Sequence, residues 1–373
     1  MDYLQVTFRL DALPSEAPDL IEAVLLEQTV ETPADVARRD TFVREQMMGL
    51  VQEIKALGGS SVRATLAIPI LTAGIDPAQF LTVLFGNVSL HTHVALESFE
   101  IPPTLESFFP GPRFGIGGLR DRLGVRDRPL TCSALKPVGL STARLSELCR
   151  SFARGGIDVI KDDHYLANQP FSPFDERVRA CQDIVEDVSA DTGRRVIYCP
   201  NLSGTPDDVL RQLEFAQAQG VGAVMLAPAI MGLPFVYQLV HAHLDVPLLA
   251  HPSFSGSNRI PTEVLLGRIF RLFGADAVIF ANYGGRFGYT PEECGRIATE
   301  LRAPWSEIAA SWPVPAGGMT VERAGELIDF FGIDTMLLVG GNLLLAGDDL
   351  LDRTREFTAA VAEAAAHRPL GTP

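Results

Sequence analysis

From about residue 130 onward the chain repeats one pattern. A short, largely apolar run ends in polar residues or glycine, and a stretch with helically spaced apolar positions follows. The runs are LTCSALKP (130–137), IDVIKDD (157–163), RVIYCPNL (195–202), AVMLAPA (223–229), PLLAHPS (247–253), AVIFANY (277–283), WPVPAGG (312–318) and TMLLVGGN (335–342). Continuous apolar runs of this length read as strands covered on both faces, as in parallel sheets. Between them, STARLSELCRSFARGG (141–156), TPDDVLRQLEFAQAQG (205–220) and TVERAGELIDFFG (320–332) read as amphipathic helices. The second opens on Thr205 as N-cap and closes on Gly220. Eight strand–helix units in about 240 residues predict a (β/α)8 barrel. A doubly wound open sheet is the alternative, and eight units suit closure better.

The first 125 residues alternate differently. YLQVTFRL (3–10) has the period of a half-buried strand, EAPDLIEAVLLEQ (16–28) that of a helix, and SSVRATLAIPI (60–70) that of a strand again. DPAQFLTVLFG (76–86) reads as helix and VSLHTHVALESFEI (88–101) as strand. This predicts a small α+β domain, ferredoxin-like in type, over 1–125, ahead of the barrel over 126–373. The Pro- and Gly-rich stretch IPPTLESFFPGPRFGIGG (101–118) marks the crossing.

Composition narrows the function. Hydrophobic residues make up 47% of the chain and charged ones 21%, which is globular rather than disordered. A net charge of −15 argues against nucleic acid and anionic membranes as partners, because both need clustered Lys and Arg. The cysteines Cys132, Cys149, Cys181, Cys199 and Cys294 are scattered, odd in number and without C-x-x-C spacing, as expected of reduced thiols. MDYLQVTFRL lacks the basic and apolar regions of a signal peptide, and no run has transmembrane length. A cytoplasmic protein is the expectation.

In barrels the reacting groups sit at the C-terminal ends of the strands. Here those ends hold Lys136, then Lys161-Asp162-Asp163-His164, Asn201 and His251. Asn282 and Arg286 follow the sixth run, Gly317-Gly318 the seventh and Gly340-Gly341-Asn342 the eighth. Lys136 ends an apolar strand where an unpaired amine is costly. It reads either as an acid/base of lowered pKa or as the partner of Asp162 or Asp163. His251 taken alone reads as a core histidine. The paired glycines could be plain turns, yet the loops after strands seven and eight are where barrels hold phosphate through backbone N–H groups.

With these positions fixed, the chain resembles the RuBisCO superfamily along nearly its whole length. The likeness is carried by GGIDVIKDDHYLANQPF (155–171), LTCSALKPVGLS, FGNV (85–88), PVPAGG and the last glycine pair. The resemblance implies a Mg²⁺ site in which Lys161 is carbamylated (N6-carboxylated) and joins Asp163, with His164 in place of the family's glutamate. It implies that Lys136 moves protons at the substrate carbon and that His251 lies near the reacting oxygens. Asn87 and, more weakly, Glu27 fall where a neighbouring subunit completes the site, so a homodimer is the least assembly implied. Gly317, Gly318, Gly340 and Gly341 match one phosphate site.

The departures remove carboxylation. Val138 stands where carboxylases carry a second lysine, Pro252 where they carry an arginine, and Ile279 or Phe280 where they carry a histidine of the second phosphate clamp. Arg286 takes the place of the mobile-loop lysine, and an arginine cannot shuttle protons. One phosphate clamp of two suits a keto-sugar monophosphate, processed through a metal-stabilised enediolate. The weakened base set and Arg286 lead to an expectation of decarboxylation of a branched 3-keto sugar-acid phosphate, as in apiose breakdown. Isomerisation or enolisation of a methylthio-pentose phosphate in sulfur salvage is the alternative, and a non-catalytic sugar-phosphate-binding barrel stands behind both.

Overall fold

The computed structural model describes residues 2–109 and 111–366. Its chain divides into two compact units. The first runs to Phe109 and also takes in Gly256–Leu265. The second holds 111–255 and 266–366.

Four strands build the first unit: β1 (Tyr3–Leu10), β2 (Leu50–Gly58), β3 (Ser61–Pro69) and β4 (Val94–Glu100). The alternation of β1 puts Leu4, Val6, Phe8 and Leu10 on the buried side. β1 pairs antiparallel with β3 (Val6 opposite Leu66) and with β4 (Val6 opposite Phe99). With helices Ala17–Glu27 after β1 and Pro77–Phe85 after β3, the order β2-β3-β1-β4 is the ferredoxin-like sheet. Asp76 starts the second helix by accepting the N–H groups of Ala78 and Gln79, with Pro77 behind it. Two local differences from the sequence stand out. β2 has no alternation to read because all nine of its residues are exposed on an edge. And β4 starts only at Val94, since Asn87–Leu90 forms one turn of 3₁₀ helix.

Eight parallel strands build the second unit: β5 (Leu130–Leu135), β6 (Val159–Asp162), β7 (Ile197–Cys199), β8 (Val224–Leu226), β9 (Leu248–Ala250), β10 (Ala277–Ala281), β11 (Trp312–Ala316) and β12 (Met336–Val339). Their order is β7-β6-β5-β12-β11-β10-β9-β8, and a parallel bridge between Asn201 and Met225 joins the two ends into a barrel. Each of the eight apolar runs contains one of these strands. Leu130, Cys132, Val159, Cys199, Met225, Leu249, Ile279, Val314 and Met336 fill the interior. Helix Gly115–Leu123 adds Leu119 and Leu123 to that cluster. Asp276, just before β10, holds the start of this helix by accepting the N–H groups of Phe114 (2.6 Å) and Gly115 (2.7 Å). The helix therefore closes the N-terminal end of the barrel and leaves the C-terminal end as the mouth.

The connecting helices follow their caps. Thr205 and Asp208 form a reciprocal box at the start of Pro206–Ala218, and Thr290 with Glu293 repeats it at Pro291–Arg302. Among the described residues no helix is long and apolar enough to cross a membrane.

Candidate active site

Side chains on a strand alternate, so the inward columns can be followed upward. Val159 leads to Lys161, Cys132 through Ala134 to Lys136, Cys199 to Asn201, and Leu249 to His251. Four of the residues singled out from the sequence thus rise from the interior toward the mouth. Asp162 falls on the outer side. There its carboxylate accepts Arg177 Nε (3.0 Å), the Tyr198 hydroxyl (2.9 Å) and the Asn201 N–H (3.1 Å), with Arg177 and Asp162 wholly buried. This outer network fixes the strand end that carries Lys161 and Asp163.

Lys136 Nζ lies 2.5 Å from Asp163 Oδ2. Of the two partners left open by the sequence, the structure therefore chooses Asp163. The lysine side chain is 33% exposed and the carboxylate only 2%. Asp163 Oδ1 accepts the N–H of Tyr165 (3.0 Å), while Oδ2 has no hydrogen bond besides the ion-pair contact. Burial pushes the Asp163 carboxyl up, but the Lys136 contact, the Tyr165 N–H and the charge of Lys161 together outweigh it and leave it below the usual range.

Lys161 is buried, and its amine donates to the carbonyl of Asp162 (2.9 Å). Burial holds its pKa below the ordinary lysine value. Cys132 beside it is pushed up to about 12 by burial and stays a neutral thiol. The amine is therefore shifted toward its uncharged, nucleophilic form.

His164 and His251 stack, with ring centroids 4.0 Å apart and planes 15° from parallel. The loop after β6 thus meets the loop after β9 over the mouth. Burial first, then the charge of Lys161 and the neighbouring His164, bring His251 down to about 2, so its ring is neutral. Its Nδ1 accepts the N–H of Ser253 (3.2 Å) and lies 2.8 Å from that serine's hydroxyl. The ring proton is therefore assigned to Nε2, which becomes a donor. His164 is lowered too, by burial, against the attraction of Asp163 and with Lys161, Lys136 and Arg286 adding to it.

Asn201 contributes differently from the rest. Its amide donates to the carbonyls of His164 (3.2 Å) and Leu166 (2.9 Å), so it braces the loop bearing His164. Arg286 is exposed in the loop after β10 and lies over the Phe287 ring at 4.9 Å. Gly317 and Gly318 have φ of +96° and +64°, and a Cβ on Gly318 would meet the Gly284 carbonyl at 2.7 Å. Gly340 and Gly341 have open space where a side chain would stand. A cavity of about 350 Å³ opens beside these loops, lined by Thr320, Val321, Glu322, Asn342 and Arg353 among others, and by none of the lysines or histidines above.

In the first unit Asn87 donates to Glu27 (2.8 Å) and to Glu31 (3.2 Å). Glu31 was not picked out from the sequence. It holds φ of +48°, uncommon for a residue with a side chain, and its spacing of four from Glu27 was the available signal. Ser253 was missed likewise, although a hydroxyl two residues after a histidine is well placed to fix its tautomer.

A divalent cation of the kind the resemblance implies prefers oxygen donors. Asp163 offers a buried carboxylate of that kind, its Oδ2 here paired with Lys136 Nζ at 2.5 Å. Among the described residues no three His, Cys, Asp or Glu side chains are grouped to hold a metal. The set is completed only by a further donor, which a carbamate on Lys161 would provide, with His164 adding a nitrogen.

A ferredoxin-like unit ahead of a (β/α)8 barrel, with Lys-Asp-Asp ending the second barrel strand, defines the architectural class: that of the RuBisCO large chain. The family "Ribulose bisphosphate carboxylase large chain, catalytic domain" matches residues 115–281. A ribulose bisphosphate carboxylase-like protein of Rhodopseudomonas palustris is 43% identical over 96% of this chain and 97% of its own length. A 5-methylthioribulose-1-phosphate isomerase of Rhodospirillum rubrum is 41% identical over 98% and 97%. The crystal structure of a RuBisCO-like protein from Rhodopseudomonas palustris superposes with a TM-score of 0.89 at 37% identity, covering 97% of this chain and 98% of that one. The chain belongs to the RuBisCO large-chain family, among its RuBisCO-like proteins.

Proposed function

We propose that this chain isomerises a methylthio-pentulose monophosphate, of the 5-methylthioribulose 1-phosphate type, through an enediolate and without fixing CO₂. The observation that carries the proposal is the pairing at the mouth of two different proton carriers. One is Lys136, 2.5 Å from the buried carboxylate of Asp163; the other is the neutral imidazole of His251. An isomerisation takes a proton from one carbon and returns it to another, so it needs an acid/base beside the carbon skeleton and a donor for the oxygens. Lys136 fills the first role and His251, through Nε2, the second. One relative over 98% of this chain is a 5-methylthioribulose-1-phosphate isomerase.

The phosphate is held by the backbone of the loops after β11 and β12, where Gly340 and Gly341 leave room for an anion. A divalent cation, Mg²⁺ in the first instance, would be held by Asp163 and carbamylated Lys161 with His164 beside them, and would supply Lewis-acid polarisation of the hydroxy-ketone. Asn201 keeps the His164 loop in place. Asn87 and Glu27 serve the site of a second copy, in a homodimer. Decarboxylation of a branched 3-keto acid phosphate has less support than the sequence led us to expect. The arginine invoked for its carboxylate, Arg286, is exposed and rests on Phe287.

Solvent-deuterium exchange tests the proposal. In D₂O with Mg²⁺, deuterium should enter 5-methylthioribulose 1-phosphate at the carbon beside the carbonyl. Lys136→Met should slow that exchange about 10²–10⁴-fold while the phosphate still binds. Exchange at the wild-type rate in Lys136→Met would sink the role given to this lysine.

A further inference from the structure

Phe254 is placed where stability alone would not put it. It holds φ of +70°, a left-handed conformation that a bulky side chain adopts only against strain. Glycine tolerates that conformation freely, and Gly256 stands two residues on. The strain is not offset by burial, because the Phe254 side chain is 66% exposed. Next to it, the Ser255 hydroxyl is buried without a hydrogen-bond partner. Two unfavourable features in one turn mark a segment shaped for something other than its own packing.

The turn sits at the chemistry. His251, three residues earlier, has its tautomer fixed by Ser253 of the same turn. The stack of His251 on His164 brings this loop against the one that carries Asp163. The phosphate-holding loops follow β11 and β12, whereas this loop follows β9, two and three strands away round the barrel. A monophosphate held at β11 and β12, with its reacting carbons at Lys136 and His251, therefore reaches the β9 loop with its other end. That loop offers no charge. Its residues within the barrel unit, HPSFS (251–255), contain no Lys or Arg.

We infer that Phe254 is the specificity-determining residue for the end of the substrate opposite the phosphate, and that it selects an apolar terminus by packing its ring against it. The inference rests on the monophosphate reading above and adds to it the residue that reads the sugar's far end. An aromatic face favours a thioether or alkyl group over a hydroxyl, because the hydroxyl would lose water without gaining a partner.

The test compares binding of 5-methylthioribulose 1-phosphate and ribulose 1-phosphate by calorimetry in Mg²⁺ buffer, with turnover of each followed separately. The wild-type protein should prefer the methylthio compound about 10–200-fold in affinity. Phe254→Gly should cut that preference about tenfold or more while its melting temperature stays level or rises, since glycine relieves the strain. Phe254→Leu should keep part of the preference, which separates an apolar contact from a backbone effect. Equal preference in wild type and Phe254→Gly, or no preference in the wild type, overturns the inference. Selective binding without turnover of either compound would instead overturn the isomerase reading and leave the role of Phe254 standing.

Discussion

At Lys136 one ammonium meets one buried carboxylate, and substitutions there separate pairing from proton transfer. Lys136→Met leaves Asp163 charged and unpaired, at a cost of about 1–3 kcal/mol, moderated by the exposure of the lysine. Lys136→Arg keeps the charge, so its urea midpoint should stay near that of the wild type while turnover is lost, because a guanidinium does not give up its proton. Equal destabilisation by both variants would count against the ion pair. Lys136, Lys161, Asp163 and His251 were legible in the sequence because each ends an apolar run where a polar residue needs a reason. Ser253 and Glu31 were not, since a lone serine or glutamate in a loop breaks no pattern. Phe254 was hidden for the opposite cause: its residue type argues against the left-handed conformation it adopts.

Among the elements, β6 depends on what lies behind it. Asp162 and Arg177 are fully buried partners, and Arg177→Met should cost about 3–5 kcal/mol by leaving the Asp162 carboxylate uncompensated. Chemical denaturation measures it, and a loss below about 1 kcal/mol would show that Tyr198 and Asn201 suffice as partners. The loops after β10 and β11 are joined by Arg323, which donates to the Gly318 carbonyl (2.8 Å) and to Glu326, while Glu326 accepts the Tyr283 hydroxyl (2.8 Å). These bonds hold the Glu326 carboxyl down at about 2, below its ordinary 4.5. A lowered carboxyl stabilises the fold above its unfolded pKa and loses that effect as pH falls through the folded one. The melting-temperature gap between wild type and Glu326→Gln should therefore be largest above pH 4.5 and shrink toward pH 2, remaining small because the pair is exposed. A gap that widens in acid would contradict this. The eight barrel strands could be read from sequence since burial on both faces writes an unbroken apolar run. β2 could not, because an edge strand exposed at every position leaves no periodic trace.

For the whole molecule, the assembly proposed above has a direct consequence. If Asn87 serves the site of a second copy, Asn87→Ala and Lys136→Met chains are each inactive alone, and a mixed dimer recovers at most one working site. Mixing after denaturation and refolding should restore measurable activity. No recovery, with folding intact, would count against a site shared between two copies. The order of a ferredoxin-like unit and a barrel was legible at this scale from two periodicities in one chain. The reaction was less so, because decarboxylation and isomerisation share the enediolate and differ in what leaves the carbon beside the ketone, a carboxylate or a proton. The most direct measurement is ³¹P NMR of 5-methylthioribulose 1-phosphate and the branched 3-keto acid phosphate with the protein, in Mg²⁺ and in EDTA. We expect Mg²⁺-dependent conversion of the methylthio compound, without CO₂ release. Conversion of the 3-keto acid phosphate with CO₂ release, or line-broadening of either compound with no new resonance, would contradict the proposed isomerase.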